Sequence, residues 1–383
     1  MNKKTVLIFT GGGLAPALNP TLYGAITRAR KEGFRILGGL YGWACLGANG
    51  KTIDLTKIDL EIIKKNGGTF LRSSRTNPFN SKNGLAELKK RIKKLKIDYI
   101  IAIGGDDTLG AAYKLHQESI IPIVGAPKTI DNDLPETYWS PGFPSAAYYF
   151  SQFVKEIRED AAYALSRIFI VEALTAKAGW PVAAGAYGGA DLIIPPEKPI
   201  DLKLIIRLAK KRYRENKNFA VIAISNQAKI SGIKGEEDEQ KDQFGVKRQN
   251  YISLALAKSL KAALGIETKV AIPANYVETG RPIKIDCEIG IKLGEKAVNL
   301  IRKNKFGQMA AVKRPSWQSN SITVDCAPLS AMRNKKKPMD ESFFDFKNLR
   351  VKQKMFDYLE PMLGKYEPEK NNDYNQLIDK IIR

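Results

Sequence analysis

Ile100-Ile101-Ala102-Ile103-Gly104-Gly105-Asp106-Asp107-Thr108 and, a helical stretch later, Gly125-Ala126-Pro127-Lys128-Thr129-Ile130-Asp131-Asn132-Asp133 decide the fold of this chain. Each is an apolar run that ends in a cluster of small, acidic and hydroxyl residues. A run of that length, followed by a glycine turn and a helical pattern, reads as a buried parallel strand feeding a helix. Ligands of open α/β sheets bind beyond the carboxyl ends of such strands. One crevice is therefore expected to gather Asp106, Asp107, Asp131 and Asp133 around Lys128. Carboxylates beside a glycine-rich backbone point to magnesium and phosphate chemistry.

Towards the N-terminus, Thr5–Phe9 reads as a strand and Thr10-Gly11-Gly12-Gly13-Leu14-Ala15-Pro16-Ala17-Leu18-Asn19 as its exit. A helix is expected from Asn19-Pro20, with residue types suited to N-cap and first-turn positions. The glycines allow backbone N–H groups to approach an anion at that helix start, so the stretch reads as a phosphate loop or as a tight turn. Phe34–Leu40 is a second strand. Gly67–Arg75 is a polar loop with two arginines, Arg72 and Arg75, and reads either as a phosphate clamp or as plain surface. Leu85, Leu88, Ile92 and Leu95 have helical spacing.

Towards the C-terminus, Leu134–Ser145 is rich in Pro, Gly and aromatics and reads as a crossover to a second domain. A helix over about Ala146–Leu165 and strands at Ile168–Glu172, Leu192–Ile194, Phe219–Ile224 and Lys269–Pro273 are expected. Ala183–Ala190 reads as a helix of small residues. Tyr251–Leu264 and Ile289–Ile301 also read as helices, and Glu236–Gln240 as an exposed acidic insertion. Asp340–Arg383 is expected to form helical segments parted by Pro361 and Pro368. Its aromatics, Phe343, Phe344, Phe346, Phe356 and Tyr358, suit a cap or a subunit contact.

Composition sets bounds on function. The 383 residues, 44% hydrophobic and 27% charged, suit a globular enzyme of two domains. No run approaches the ~18 apolar residues of a membrane span. Lys3-Lys4 leads straight into a strand without a signal-peptide pattern, and Cys45, Cys287 and Cys326 are scattered and odd in number. A reducing cytoplasm is expected, with no cysteine metal site. His116 is the only histidine, which nearly excludes histidine triads and zinc clusters. The net charge of +22 attracts anions of any kind. Its lysines are dispersed as pairs such as Lys89-Lys90 and Lys93-Lys94. That favours a solvated surface drawing phosphate substrates over a nucleic-acid site, so neither nucleic acid nor membrane is an expected partner.

With these elements in place, the chain resembles the phosphofructokinase family, and within it the pyrophosphate-dependent branch. The carriers are Gly12–Asn19, Gly67–Arg75, Gly104-Gly105-Asp106-Asp107-Thr108 and Pro127-Lys128-Thr129-Ile130-Asp131-Asn132-Asp133. The likeness spans Thr5–Lys303, clearly to Phe143 and more faintly beyond. Strand-Gly-Gly-Asp-x-Thr also occurs in the NAD kinase and diacylglycerol kinase groups, but the Pro-Lys-Thr-Ile-Asp-Asn-Asp segment argues against them.

The resemblance implies two doubly wound, Rossmann-like α/β domains with the active site in the cleft between them. Residues 1–140 would bind the donor and 141–303 the acceptor, and 304–383 would pack back on them or make a subunit contact. It implies transfer of a phosphoryl group from magnesium pyrophosphate to a sugar phosphate, fructose 6-phosphate at C1. Asp131 would be the general base, supported by Asp133, with Lys128 and Thr129 also catalytic and Thr129 touching the acceptor. Asp106 would hold Mg2+ against the donor. Gly12, Gly13, Arg75, Gly105, Asp107, Thr108 and Lys128 would bind the donor. ATP-dependent members usually carry glycine where this chain has Asp107 and Lys128. An Asp side chain crowds and repels a nucleotide's α-phosphate, whereas a lysine ammonium pairs with the end of pyrophosphate.

On the acceptor side the pattern departs from the family. Its Met-Gly-Arg stands here as Leu174-Thr175-Ala176, its acidic sugar contact as Asn226, and its later histidine and arginine as Asn275 and Glu278. Arg167 and Lys269 match basic positions that a neighbouring subunit lends, which implies a homodimer or homotetramer. Arg281 and Lys177 are candidates to replace a lost charge. Two acceptor readings stay open: fructose 6-phosphate, or another sugar phosphate, a free sugar or a polyol. An ATP-dependent kinase and a non-catalytic paralogue are the remaining alternatives.

Overall fold

Side chains alternate along the first strand: Val6 and Ile8 enter one hydrophobic cluster, Leu7 and Phe9 another. Ile101 and Ile103 join the first cluster, Ile100 and Ala102 the second. Strands apolar on both faces must lie inside a sheet covered on both sides, and all these residues are fully buried. The structure, a computed structural model, describes residues 3–163, 166–241, 247–316, 319, 321–333, 336–367 and 380–382.

In chain order the elements begin with β1 (Thr5–Thr10), α1 (Leu18–Lys31), β2 (Arg35–Gly39), β3 (Thr52–Asp54), α2 (Gly84–Leu95), β4 (Tyr99–Gly104), α3 (Asp106–Gln117) and β5 (Ile123–Pro127). They continue with α4 (Phe143–Tyr163), β6 (Ile168–Ala173), α5 (Trp180–Ala183), β7 (Leu192–Ile194), β8 (Ile200–Asp201), α6 (Leu202–Glu215) and β9 (Ala220–Ser225). Next come β10 (Ile230–Ser231), β11 (Glu236–Lys241), β12 (Lys247–Asn250), α7 (Ile252–Leu264), β13 (Thr268–Ala271), α8 (Tyr276–Thr279) and α9 (Lys284–Arg302). The last are β14 (Gln308–Lys313), β15 (Thr323–Pro328), β16 (Phe344–Asp345), β17 (Arg350–Val351) and α10 (Gln353–Leu363).

Two units result, the first built mainly from Met1–Ala146 and Asn275–Lys337, the second from Ala147–Glu237, Gln249–Ala274 and Pro338–Arg383. The expected second segment ran on to 303, whereas the chain re-enters the first unit at Asn275. In the first unit a seven-stranded sheet has the order β15-β14-β5-β4-β1-β2-β3. Its five inner strands are parallel and the edges β3 and β15 antiparallel. The order reverses between β1 and β4, the place where such sheets open a crevice. In the second unit β13-β6-β9-β7 are all parallel.

Helices α1 and α9 share one face of the larger sheet, and they touch through backbone. A Cβ on Gly24 would lie 2.1 Å from the Ile291 carbonyl oxygen, and one on Gly294 2.1 Å from that of Thr21. Several sequence expectations are corrected here. Asn19 does not cap α1, whose N-cap is Ala17. The Asn19 side chain instead donates to the Gly67 carbonyl (2.9 Å) and accepts from the Phe70 N–H (2.7 Å), so a tertiary bond takes the place of a local one. Of the helix expected over Ala183–Ala190, only Ala183 is α-helical, at the end of α5, and Ala184–Gly188 form a 3-10 turn; Glu236–Gln240, read as an exposed acidic insertion, lies in β11, which pairs with β12. Pro361 lies inside α10 rather than between helices, and the β16–β17 hairpin precedes that helix. The aromatics of this region pack within the second unit: Trp180 meets Phe343 and Tyr358, and Tyr187 meets Phe356. Pro368 and Leu165 lie outside the described residues.

Because the α1–α9 crossing leaves no room for a methyl group, Gly294→Ala should cost about 2–3 kcal/mol. Gly110→Ala in α3, where a Cβ meets nothing within 4 Å, should be neutral or stabilise by up to about 1 kcal/mol. Paired thermal melts of the two variants measure this, and an equal effect at both positions would refute the crossing as the cause.

Candidate active site

The loop after β1 is shaped by one hydroxyl. Thr108 is buried in the first turn of α3, and a Cβ on Gly11 or on Gly104 would lie 2.6 Å from its Oγ1. Both positions therefore require glycine. Gly12 has φ +85°, in the left-handed region. The Gly12 N–H donates to the Ser74 carbonyl (3.2 Å) and the Ser73 hydroxyl donates back to the Gly12 carbonyl (2.5 Å). Thr10 Oγ1 donates to the Arg72 carbonyl (3.0 Å). The glycine loop and the 67–75 loop are thus laced together. The two arginines of the latter differ: Arg72 is turned onto Tyr41, its Nη1 donating to the phenol oxygen at 2.6 Å. Arg75 acts on Lys128 instead, where its charge lowers the lysine pKa.

Lys128 is the centre of the first unit's polar cluster. It leaves β5 with its N–H on the Gly104 carbonyl (2.9 Å), and its Nζ donates to the Gly13 carbonyl at 2.5 Å. Only 2% of it is exposed. Burial pulls its pKa down to about 8, against the opposing charges of Asp131, Glu278 and Asp106. Thr129 fixes the base candidate: its hydroxyl donates to Asp131 Oδ2 (3.0 Å) and accepts from the Asp131 N–H (3.1 Å). Burial, and then the like charge of Asp133, push Asp131 up to about 7, although the Thr129 hydroxyl and Lys336 favour its ionised form. Asn132 turns the chain with φ +56° and accepts from the Ser140 N–H. Asp106 and Asp107 lie in the first turn of α3, capped by Gly105, where the helix dipole favours negative charge. Asp107 is exposed.

Three further residues of the site have no counterpart among the sequence candidates. Lys336 reaches Asp133 Oδ2 at 2.8 Å and Asp106 Oδ2 at 2.9 Å. Burial lowers its pKa, but the two carboxylates more than offset this and hold it above the ordinary lysine value. Lys337 donates from Nζ to the Tyr138 carbonyl (2.8 Å), the Thr137 carbonyl (3.2 Å) and Asn132 Oδ1 (3.3 Å), and burial pulls it down to about 7. The only signal in the sequence was the run Lys335-Lys336-Lys337, which looks like any solvated lysine cluster. Asp286, fully buried in α9, accepts from the Gly142 N–H (2.9 Å) and the Ser145 hydroxyl (2.5 Å). Gly142 in turn bridges to Thr129. Burial pushes Asp286 up to about 6 despite those donors.

The acceptor candidates divide between the units. Glu278, expected on the acceptor side, lies against the glycine loop after β1: its Oε1 would be 3.8 Å from a Cβ on Gly13. Asn275 and Arg281 are exposed beside α8. In the second unit, Leu174, Thr175 and Asn226 follow the ends of β6 and β9. The Thr175 N–H donates to Asn226 Oδ1 (2.9 Å), and the Thr175 and Ser225 hydroxyls are 2.5 Å apart. Arg167 and Lys269 sit at the opposite end of that sheet, both beside Glu267. At about 3.3 Å per strand residue, Arg167 is roughly 20 Å from Leu174, so these two sets do not meet within one chain.

A family model described as phosphofructokinase matches residues 5–301. The chain belongs to the phosphofructokinase family. A pyrophosphate–fructose 6-phosphate 1-phosphotransferase of Dictyoglomus thermophilum is 36% identical over 349 residues, 90% of this chain and 98% of that protein. An ATP-dependent 6-phosphofructokinase 3 of Streptomyces coelicolor is 31% identical over 80% of this chain and 90% of its own length. Among solved structures, a pyrophosphate-dependent phosphofructokinase from Nitrosospira multiformis aligns with TM-score 0.84 at 24% identity, covering 97% of this chain and 95% of that one. The shared fold is that of a phosphofructokinase with two Rossmann-like domains.

Among the described residues of this phosphofructokinase no three His, Cys, Asp or Glu side chains gather as metal ligands, and no helix is long and apolar enough to cross a membrane. What is present is a pair, Asp106 and Asp133, holding one ammonium between them. Hard carboxylate oxygens that supply only part of a shell suit Mg2+, which keeps water and phosphate oxygens for the rest. The residues fit a divalent cation shared with a phosphate donor. Asp286→Ala would strand the buried Gly142 N–H and Ser145 hydroxyl and should lower stability by about 2–4 kcal/mol. Thermal unfolding at pH 7 measures this, and a melting temperature equal to the parent's would remove Asp286 from its supporting role.

Proposed function

We propose that this phosphofructokinase transfers the terminal phosphoryl group of magnesium pyrophosphate to the C1 hydroxyl of fructose 6-phosphate. One observation carries the choice of donor: the Lys128 ammonium is buried against the Gly13 carbonyl and surrounded by Asp131, Asp106 and Glu278. A cation fixed there pairs with the end of a short anion, and Asp107 adds a side chain and a charge that crowd and repel a nucleotide's α-phosphate. Overall identity does not decide this, since relatives named for pyrophosphate and for ATP match to similar extents. The name of the Dictyoglomus relative supports the acceptor. The same donor acting on another sugar phosphate, a free sugar or a polyol is favoured by two departures, Asn226 and Glu278, which stand where the family has an acid and a base.

The proposed roles are those the resemblance implies, supported by the contacts described above. Gly12, Gly13, Gly105, Thr108 and Arg75 hold the donor, with Lys128 on its terminal phosphate. Asp106, with Asp133 beside it, would hold Mg2+, which when bound neutralises donor charge. Thr129 orients Asp131, whose carboxylate takes the acceptor proton as the hydroxyl attacks in line. Thr129, Leu174, Thr175, Asn226, Asn275, Glu278 and Arg281 are proposed acceptor contacts. Arg167 and Lys269 are proposed to serve a neighbouring copy, which implies a homodimer or homotetramer. The cytoplasm is the proposed location.

Purified protein should release phosphate with magnesium, pyrophosphate and fructose 6-phosphate and stay silent with ATP. Lys128→Gly with Asp107→Gly should cripple pyrophosphate use. Robust ATP turnover by the parent would overturn the donor assignment, and turnover only with a different sugar or polyol would overturn the acceptor.

The base must be ionised and the lysine protonated, so kcat/KM should fall below pH about 7 as Asp131 protonates and above pH about 8 as Lys128 deprotonates. Asp131→Ser should abolish the acidic limb and cut kcat by a factor on the order of 10²–10⁴. A near-normal rate in that variant would displace Asp131 from its role.

A further inference from the structure

We propose that Lys336 is a built-in place-holder for the divalent cation, occupying the metal position between Asp106 and Asp133 until metal and pyrophosphate arrive together. The inference rests on the assignment of Asp106 to the metal under the proposed function. Two carboxylates that close repel each other unless a positive charge stands between them. In this chain that charge is the Lys336 ammonium, nearly equidistant from the two acids at 2.9 and 2.8 Å. A dication on the same oxygens and the ammonium cannot share the space. One has to leave for the other to enter.

The segment is built for such an exchange. Lys337 is the anchor: its main-chain N–H donates to the Asp133 carbonyl (2.8 Å), and its side chain is spent on the Asn132 side chain and the Thr137 and Tyr138 carbonyls. Lys336 is the movable head, its side chain 36% exposed and held by the two acids. A free cation entering alone would have to expel the ammonium into water. A cation arriving with pyrophosphate brings anionic oxygens that both complete its shell and receive the displaced ammonium. Lys336 therefore sets the order of loading, disfavouring metal without donor, in the way any competing state lowers an apparent affinity.

The test is titration calorimetry of Mn2+ into the full chain without pyrophosphate. Lys336→Gln should bind Mn2+ about tenfold or more tightly than the parent, and Lys336→Arg, which keeps the charge, should bind like the parent. The gain should vanish in Lys336→Gln combined with Asp106→Asn. Equal affinity of Lys336→Gln and the parent would overturn the proposal, as would an equal gain in Lys336→Arg, which would mark a loosened segment rather than a removed charge. Failure of the underlying function would show separately, as absence of magnesium-dependent pyrophosphate turnover by the parent whatever the Mn2+ titration gives.

Discussion

A buried ammonium needs partners, and the first unit is arranged to provide them for Lys128. An isolated charge removed from water costs far more than a fold can spare, so it persists only where carbonyl and carboxylate oxygens meet it. The Gly13 carbonyl is one such partner, and it is in place because the glycine loop is pinned to the 67–75 loop and packed over Thr108. Asp131, Glu278 and Asp106 supply the compensating field. Those acids in turn would repel one another without Lys128 and Lys336. The site is an alternation of charges in which each sign holds the other in place.

Burial, only partly offset by the opposite charges around them, shifts the two key groups towards neutrality. Burial alone moves a carboxyl up and an ammonium down. In Asp131 and Lys128 it brings groups whose ordinary values lie far apart to about 7 and about 8. The proposed base and the proposed clamp are thereby both within reach of their working forms at one pH, with no histidine involved.

What the sequence revealed was what lies close together along it. The Ile100–Asp133 segment was legible because each strand, its turn and its acids are contiguous, and strand alternation is read from neighbours. The links it hid are made only by the fold. Glu278 reaches Lys128 and Lys336 reaches Asp106 across long stretches of chain, and a charged residue in a lysine run carries no mark of burial. Asn19 shows the converse: its type and position suit a helix cap, but the 67–70 loop offers its amide better-placed partners. The strands β14 and β15 fall after residue 303, where no motif carried the resemblance. The acceptor side stayed open because the substitutions there, at Ala176, Asn226, Asn275 and Glu278, change the chemistry of single side chains without changing the pattern that holds them.

The backbone contact between α1 and α9 bears on how the protein is born. Helix α1 is among the first segments to leave the ribosome, while its glycine-fitted partner follows some 260 residues later, on the order of ten seconds or more at usual synthesis rates. Throughout that interval Leu18, Leu22 and Ile26, buried in the finished protein, lack the helix that covers them, as does one face of the central sheet. Most of the second unit is encoded in between, but its last segment, Pro338–Arg383, follows α9, so neither unit is complete when α9 emerges. The first unit is thus begun first and finished late, and a nascent chain stalled before α9 presents an uncovered apolar seam to chaperones and to other copies of itself.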